Sequence, residues 1–171
     1  MFSLYLLNVG SMYEFIGWRM LFEANIVWVN REGDTFTGNN FSRAHHWYFE
    51  GGEVVPATAS HHIVPIPYSE PKNVDPEQAY IAALSSCHMM SFLTIASKRN
   101  YVVERYADQA SGCLEQGETG KFSITEVTLR PDIRFSGSRI PSAAELKKMH
   151  NVAHQNCFIA NSVNTRINIE I

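Results

Sequence analysis

Cysteine and charge are both scarce in this sequence. Only three cysteines occur among its 171 residues, and charged side chains make up 18% of the chain. An odd cysteine count in a chain of this length argues against the disulfide framework of a secreted protein, so we expect thiols in a reducing, cytoplasmic setting. The 17 acidic side chains outnumber the 14 basic ones, which leaves no basic excess to bind a phosphate backbone. Nucleic acid is therefore not an expected partner.

Several enzyme signatures are missing as well. The sequence has no Gly-rich phosphate loop, no Cys-x-x-Cys pair, and no Gly-x-Ser-x-Gly nucleophile elbow around Ser85 and Ser86. It gives no sign of a bound cofactor. Apolar side chains, in contrast, are plentiful: 45% of the residues are hydrophobic, enough for one domain of this length to bury a substantial core.

The first twenty residues differ from the rest. Residues 2–9 are mostly apolar, but no Lys or Arg precedes them, and a secretory signal peptide requires a positively charged start. The run is also too short to span a membrane, so no membrane partner is expected. We predict that residues 1–20 are an N-terminal extension of unknown role, packed on the domain or on a partner chain. Residues 21–171 are predicted to form a single domain.

Alternating apolar residues predict most of the strands. Phe22, Ala24, Ile26 and Trp28, for example, fall on one face of an extended chain. Strands are predicted over residues 21–30, 35–41, 45–49, 54–55, 102–115, 122–135 and 165–171, with a proline-containing loop over residues 56–73. The parity of the apolar residues switches near Thr125, which predicts a β-bulge there.

Two helices complete the predicted fold. Asp75, Pro76 and Glu77 supply an N-cap, an N1 proline and an acidic first turn, so a helix is predicted over residues 76–98. Its apolar residues cover nearly every side, which predicts a central helix that is buried on most sides. A second helix is predicted over residues 141–156. The order of elements indicates an α+β domain, with antiparallel sheets and helices segregated from the strands.

Cys87 and Cys157 occupy complementary settings. Cys87 lies in the middle of the first predicted helix, and Cys157 ends the second one, 70 positions later. Taken singly, a free cysteine is more often a packed core residue than a reactive group, as we expect for Cys113 in its strand. A thiol becomes chemically interesting when a second thiol can reach it. Only the fold can bring these two together.

Two other interpretations stay open from the residues alone. His150, His154 and Cys157 fall within about 40° of one another on one helix face, a spacing that suits a metal ion. The chain would then be a metal-binding protein. Alternatively the thiols sense oxidants or only pack, and the loop over residues 56–73 binds a partner, in a domain that is not an enzyme.

Three segments carry a resemblance to a known family. Residues 75–80 (DPEQAY) and 84–87 (LSSC) resemble the helix motif of the OsmC/Ohr family, the osmotically inducible and organic-hydroperoxide-resistance proteins. Residues 157–162 (CFIANS) resemble the second-cysteine motif of that family. The resemblance covers residues 22–171 and implies the OsmC-like fold, an intertwined homodimer with active sites at the subunit interface. Residues 41–69, with their proline loop, are similar to the longer, OsmC-like branch.

The resemblance also implies a thiol peroxidase that needs no cofactor. Cys87 would be the peroxidatic cysteine and Cys157 the resolving one, while Glu77 and Arg43 match the family's glutamate and arginine. The implied substrate is a small organic hydroperoxide, and the implied reductant is an external dithiol of the lipoyl type. An apolar mouth suited to organic peroxides is expected from four side chains: Met89, Phe92, Phe158 and Trp47.

One distance follows from helix geometry alone. Glu77 and Cys87 are ten positions apart, so their Cα atoms lie about 15 Å apart along a straight helix. Glu77 therefore cannot touch the thiol of its own chain. We expect it to act through Arg43, with one or both groups supplied by the partner subunit.

Overall fold

The computed structural model describes residues 19–171, which form eight strands and two long helices. Residues 1–18 of the predicted N-terminal extension lie outside the described residues. In chain order the elements are β1 (Ala24–Val27), β2 (His45–Phe49), β3 (Val54–Ala57), α1 (Pro76–Lys98), β4 (Val102–Asp108), β5 (Ser111–Gln116), β6 (Phe122–Leu129), β7 (Pro131–Ser136), α2 (Ala143–Asn156) and β8 (Arg166–Ile169). The predicted α+β class is confirmed.

The first sheet contains β1, β2 and β3, all antiparallel. Ile26 lies opposite Trp47, which in turn lies opposite Val55. The main contacts of these strands are with one another, and apolar side chains such as Ile26 remain exposed in the single chain. Exposed apolar residues concentrated on one sheet are typical of a surface that another chain covers.

The strand predicted over residues 35–41 is wrong. The chain there forms a short 3-10 turn, Phe36–Gly38, which Asn39 ends in a left-handed conformation with φ of 61°. The rings of Trp28, Phe36 and Phe41 pack together with centroids 4.7–5.7 Å apart. The apolar residues of this segment therefore form a local side-chain cluster. Their alternation in the sequence reflects packing in this cluster and does not indicate a strand.

Helix α1 begins and ends where the sequence predicts. The Asp75 carboxylate accepts a hydrogen bond from the Gln78 backbone N–H at 2.7 Å and caps the first turn. Within one chain, however, only the stripe of Leu84, His88, Phe92 and Ala96 is buried, rather than most sides of the helix. By length and composition alone α1 could also cross a membrane, a test that core helices pass as well.

The two long strands predicted over residues 102–115 and 122–135 each divide into two. β4 pairs with β7 and β5 pairs with β6, so the chain changes sheet at Gln109 and again at Arg130. The predicted bulge is confirmed: Cys113 lies opposite Glu126 and Leu114 opposite Ile124, which leaves the residue between them on β6 without a partner.

One strand pair departs from the predicted antiparallel arrangement. β8 runs parallel to β6, with Val127 opposite Ile167. The reason is the intervening α2, which returns the chain to the same end of the sheet before β8 begins. Helix α2 itself starts at a capping box, in which Ser142 and Glu145 each bind the other's backbone N–H.

Candidate active site

Helices α1 and α2 pack side by side in opposite directions. Tyr101, just past the end of α1, donates a hydrogen bond to Glu145 in the first turn of α2 at 2.8 Å. At the other end of the pair Cys87 meets Cys157. The antiparallel packing thus brings together two thiols that are 70 positions apart in the sequence.

The two thiols differ in burial. Both are free, but Cys87 is half-buried whereas Cys157 is only 1% exposed. Burial, and next to it the hydrogen bond with Cys87, raise the pKa of the Cys157 thiol to about 11. Cys157 is therefore protonated at neutral pH and holds an S–H that can donate to the Cys87 sulfur.

Local backbone structure fixes the position of Cys157. It is the C-cap of α2, in an extended conformation with φ of −77° and ψ of 109°. Its carbonyl accepts the Asn161 N–H at 3.0 Å, and its sulfur accepts the Ala160 N–H at 3.4 Å. The 3-10 turn Ala160–Ser162 that follows is what aims this N–H at the sulfur.

A buried histidine pair joins the same two helices. His88 follows Cys87 on α1, and its Nε2 is 3.0 Å from Nδ1 of His150 on α2. Burial lowers the pKa of each histidine to about 4; nearby His154 acts in the same direction on His88. Both imidazoles are thus neutral at pH 7. The sequence signal for His88 was its place on the buried stripe, four positions after Leu84.

Arg43 and Glu77 do not meet within one chain. The Arg43 guanidinium donates to the carbonyls of Asn39 and Phe41 and lies over the Phe41 ring, 3.9 Å from its centroid. Glu77 Oε2 is buried and has no hydrogen-bond partner among residues 19–171. Neither side chain contacts Cys87 through a hydrogen bond or ion pair in that part of the chain, so the link between Arg43 and Glu77 stays a prediction.

Two of the four residues expected to line the peroxide mouth lie elsewhere. Phe92 is fully buried in the core, where its ring stacks on His150 with centroids 4.4 Å apart. Met89 is two positions from Cys87 and hence about 200° away around α1. It lines a groove of about 440 Å³ together with Ser85 and Asp108, on the face opposite the thiol.

The other two mouth residues have different outcomes. Phe158 is 79% exposed and follows Cys157 directly, so it is available beside the thiols. Trp47 is half-buried on β2, where its indole N–H donates to His45 at 2.9 Å. That sheet makes few contacts with α1 in the single chain, so nothing brings Trp47 to the thiols there.

The alternative metal site of His150, His154 and Cys157 does not form among residues 19–171. Among residues 19–171 no three His, Cys, Asp or Glu side chains are grouped as metal ligands. His150 Nδ1 instead lies 3.0 Å from Nε2 of His88, and Cys157 is a neighbour of Cys87. Both partners, His88 and Cys87, lie on α1, whereas the metal hypothesis considered only residues on one face of the second helix.

Comparison with known proteins places this site in a family. A family model described as OsmC-like protein matches residues 69–171, more than half of the chain and all of the thiol site. The chain belongs to the OsmC-like family. The predicted resemblance is thereby confirmed.

Solved structures agree with the OsmC-like assignment. An OsmC-like protein of unknown function from Vibrio cholerae is 50% identical, with a TM-score of 0.88 over 90% of this chain and 99% of that one. An organic hydroperoxide resistance protein from Legionella pneumophila is 15% identical, with a TM-score of 0.60 over 89% and 96%. Another, from Bacillus subtilis, is 20% identical, with a TM-score of 0.58 over 88% and 98%. At these low identities the last two show the shared fold alone. No curated protein matches the sequence.

Proposed function

We propose that this OsmC-like protein is a cofactor-free thiol peroxidase that reduces small organic hydroperoxides. The observation that carries the proposal is the contact between Cys87 and Cys157 across the α1–α2 interface. A half-buried thiol next to a protonated, buried one is the arrangement that a two-cysteine peroxidase needs. The two relatives called organic hydroperoxide resistance proteins share its fold.

The reaction then has three balanced steps. The Cys87 thiolate attacks the outer oxygen of the hydroperoxide; the O–O bond breaks, Cys87 becomes a sulfenic acid that keeps the hydroperoxide proton, and the departing alkoxide takes up a proton from solvent and leaves as an alcohol. Cys157 attacks that sulfur, a disulfide forms, and the hydroxyl group leaves as water with the Cys157 proton. An external dithiol, for which we propose the lipoyl type, reduces the disulfide and is itself oxidised.

The state of Cys87 controls the reactivity of Cys157. Both the charge of Cys87 and its hydrogen bond contribute to the raised pKa of Cys157. Oxidation of Cys87 to a sulfenic acid removes the charge, so the pKa of Cys157 falls when its thiolate is required. Cys157 stays a thiol while peroxide is being reduced and becomes a nucleophile afterwards.

We also propose that the working unit is a homodimer in which Arg43 reaches Glu77 across the subunit interface. The motif glutamate has a buried oxygen that finds no partner among the described residues of its own chain. A buried carboxylate without a partner is costly, and a guanidinium is the side chain that satisfies it best. Each charge-assisted hydrogen bond of this kind contributes about 1.5–3 kcal/mol.

The preference for organic peroxides would come from apolar surface beside the thiols. Phe158 is the described residue that fits this role, because it is exposed and adjacent to Cys157. An alkyl or aryl group can pack on its ring, whereas hydrogen peroxide has no apolar part to bury. A reduced thiol pair also fits the cytoplasmic location that we propose.

The test is consumption of cumene hydroperoxide with a dithiol reductant. Wild type should turn over many times, Cys87→Ser should be inactive, and Cys157→Ser should form a sulfenic acid but no intramolecular disulfide. Cys113→Ser is the matched control, since Cys113 is exposed on β5 and should leave the rate unchanged. A wild-type protein that reacts with peroxide once and is not recycled by any dithiol would be a redox sensor instead.

A further inference from the structure

A second groove lies away from the thiols, on the first sheet. Its volume is about 610 Å³, within the range of about 300–1,000 Å³ that is typical of small-molecule sites. Val27, His46 and Pro56 lie opposite one another across the three strands and line it. Ile26 and Trp47 form the neighbouring cross-strand pair and point to the other side of the sheet, because successive residues of a strand alternate faces. The groove is therefore separate from the exposed apolar face that contains Ile26.

The groove combines aliphatic surface with positive charge. Val27, Val29 and Pro56 supply the aliphatic part, and Arg31 and Lys72 reach the same groove from the end of β1 and from the loop before α1. Val29 is 73% exposed, so this apolar surface is open to solvent in the single chain. A pocket with apolar walls and a few polar groups is typical of a site that orients a small ligand.

The charges in the groove do not cancel. Two cations, Arg31 and Lys72, and one carboxylate, that of Glu70, line it. None of the ion pairs among residues 19–171 includes any of these three side chains. With histidine neutral, the groove has one positive charge in excess, opposite in sign to the formal net charge of −3 of the chain. An excess of this sign attracts an anion.

Hydrogen bonds fix the backbone near both cations. The Arg31 carbonyl accepts the Asp34 N–H at 3.2 Å in the turn after β1. Two positions beyond Lys72, the Val74 N–H donates to the Pro56 carbonyl on β3 at 3.1 Å, which ties the loop to the sheet. A site with walls that are already ordered loses less conformational entropy when a ligand binds.

We propose that this groove binds an aliphatic carboxylate, with the carboxylate on Arg31 and Lys72 and the alkyl chain on Val27, Val29 and Pro56. The guanidinium offers paired N–H donors that match the two oxygens of a carboxylate, and the ammonium adds a second positive charge. The alkyl chain leaves water as it packs on the aliphatic surface. This site is distinct from the thiol site and does not depend on it.

The single excess charge favours a carboxylate over a phosphate ester. A carboxylate carries one negative charge and neutralises the groove. A phosphate monoester carries about −1.5 to −2 at pH 7, which would leave excess negative charge beside Glu70. The groove should therefore discriminate between the two head groups on the same alkyl chain.

Isothermal titration calorimetry with octanoate tests the site. We expect saturable binding of one octanoate per chain. Arg31→Gln and Lys72→Gln should each weaken it at least tenfold, because each removes a charge-assisted hydrogen bond. Val29→Asp should abolish it, since the substitution adds a negative charge to the groove at an exposed position. Lys98→Gln is the matched control: it removes an exposed cation in the last turn of α1, at the far end of the helix from Lys72, and should leave the affinity unchanged.

Three further ligands with the same alkyl chain separate the parts of the recognition. Octan-1-ol and octylammonium should bind at least tenfold more weakly than octanoate, because neither has a negative charge. Octyl phosphate should also bind more weakly, and Glu70→Gln should reduce its disadvantage. Octan-1-ol that binds as tightly as octanoate would show apolar binding only, and octyl phosphate that binds more tightly would exclude the carboxylate assignment.

Two other results would overturn the site: octanoate binding that does not saturate, and equal affinity of wild type, Arg31→Gln and Lys72→Gln. Cys87→Ser should bind octanoate as the wild type does, because Cys87 does not line the groove. The outcome is thus independent of whether the protein consumes cumene hydroperoxide, and either proposal can fail while the other stands.

Discussion

The Asp108 carboxylate accepts a hydrogen bond from the Arg130 backbone N–H at 2.6 Å, at the point where both long strands change sheet. Asp108 ends β4, and Arg130 separates β6 from β7. The other oxygen of the same carboxylate accepts the Ser85 hydroxyl from α1. One side chain thus joins the central helix to the crossing of two strand pairs.

We expect Asp108→Ala to lower the free energy of unfolding by about 1–3 kcal/mol, because it leaves a backbone N–H and a serine hydroxyl without their acceptor. Urea denaturation measures this. Asp132→Ala is the matched control: its exposed ion pair with Arg105 should contribute less than about 1 kcal/mol. Equal effects of the two substitutions would contradict a joining role for Asp108.

The histidine pair predicts that stability falls in mild acid. His88 and His150 have a pKa of about 4 in the folded chain and 6.5 as the ordinary value. Between these two values the unfolded chain binds protons that the folded chain does not, so stability is lost as pH falls from 6.5 towards 4 and is constant above 6.5. The loss is at most about 1.4 kcal/mol per pH unit for each histidine.

Urea denaturation between pH 4.5 and 7.5 measures how the free energy of unfolding depends on pH. The double variant His88→Gln/His150→Asn cannot take up these protons, so its stability should vary less with pH across the same range. A slope identical to that of the wild type would mean that other groups cause the acid sensitivity.

The pKa of Cys157 should depend on its neighbour. Burial is the largest cause of the raised pKa of Cys157, and the hydrogen bond with Cys87 and the charge of Cys87 raise that pKa further. Cys87→Ser on a Cys113→Ser background should therefore lower the pKa of Cys157 below about 11, while burial keeps it above the ordinary value of 9.0.

The rate of Cys157 alkylation by iodoacetamide, followed by mass spectrometry over a pH series, gives this pKa. The Cys113→Ser protein that retains Cys87 is the reference. If both proteins show the same pH dependence, the thiols do not influence one another, and the contact on which the proposed function rests is absent in solution.

Local signals explain the elements that were predicted correctly. The bounds of α1 follow from Asp75 and Pro76, whose capping roles need no distant contact. The bulge on β6 follows from the change in apolar parity, another local property. The division of the long strands could not be found this way, because it depends on Asp108 meeting a residue 22 positions later.

The candidate site likewise combines residues that local sequence signals point to with contacts that only the fold determines. The sequence selected Cys87 and Cys157 as a candidate pair, and the antiparallel helices bring the two residues together. His150 was grouped with His154 and Cys157 because all three share one helix face, but its partner is on the other helix. Met89 and Phe92 were expected to line the apolar mouth, whereas their positions around α1 place them on other faces of the helix.

The turn after α2 limits how the proposed Cys87–Cys157 disulfide could form. Cys157 is held by the Ala160 and Asn161 N–H groups, and nine positions later the chain has already entered β8. Thr165, just before that strand, is tied to the Ile124 carbonyl at 2.8 Å. Because this segment is short and hydrogen-bonded at both ends, the Cys157 backbone has little room to move. The movement that joins the two sulfurs must therefore come from side-chain rotation or from a shift of α1.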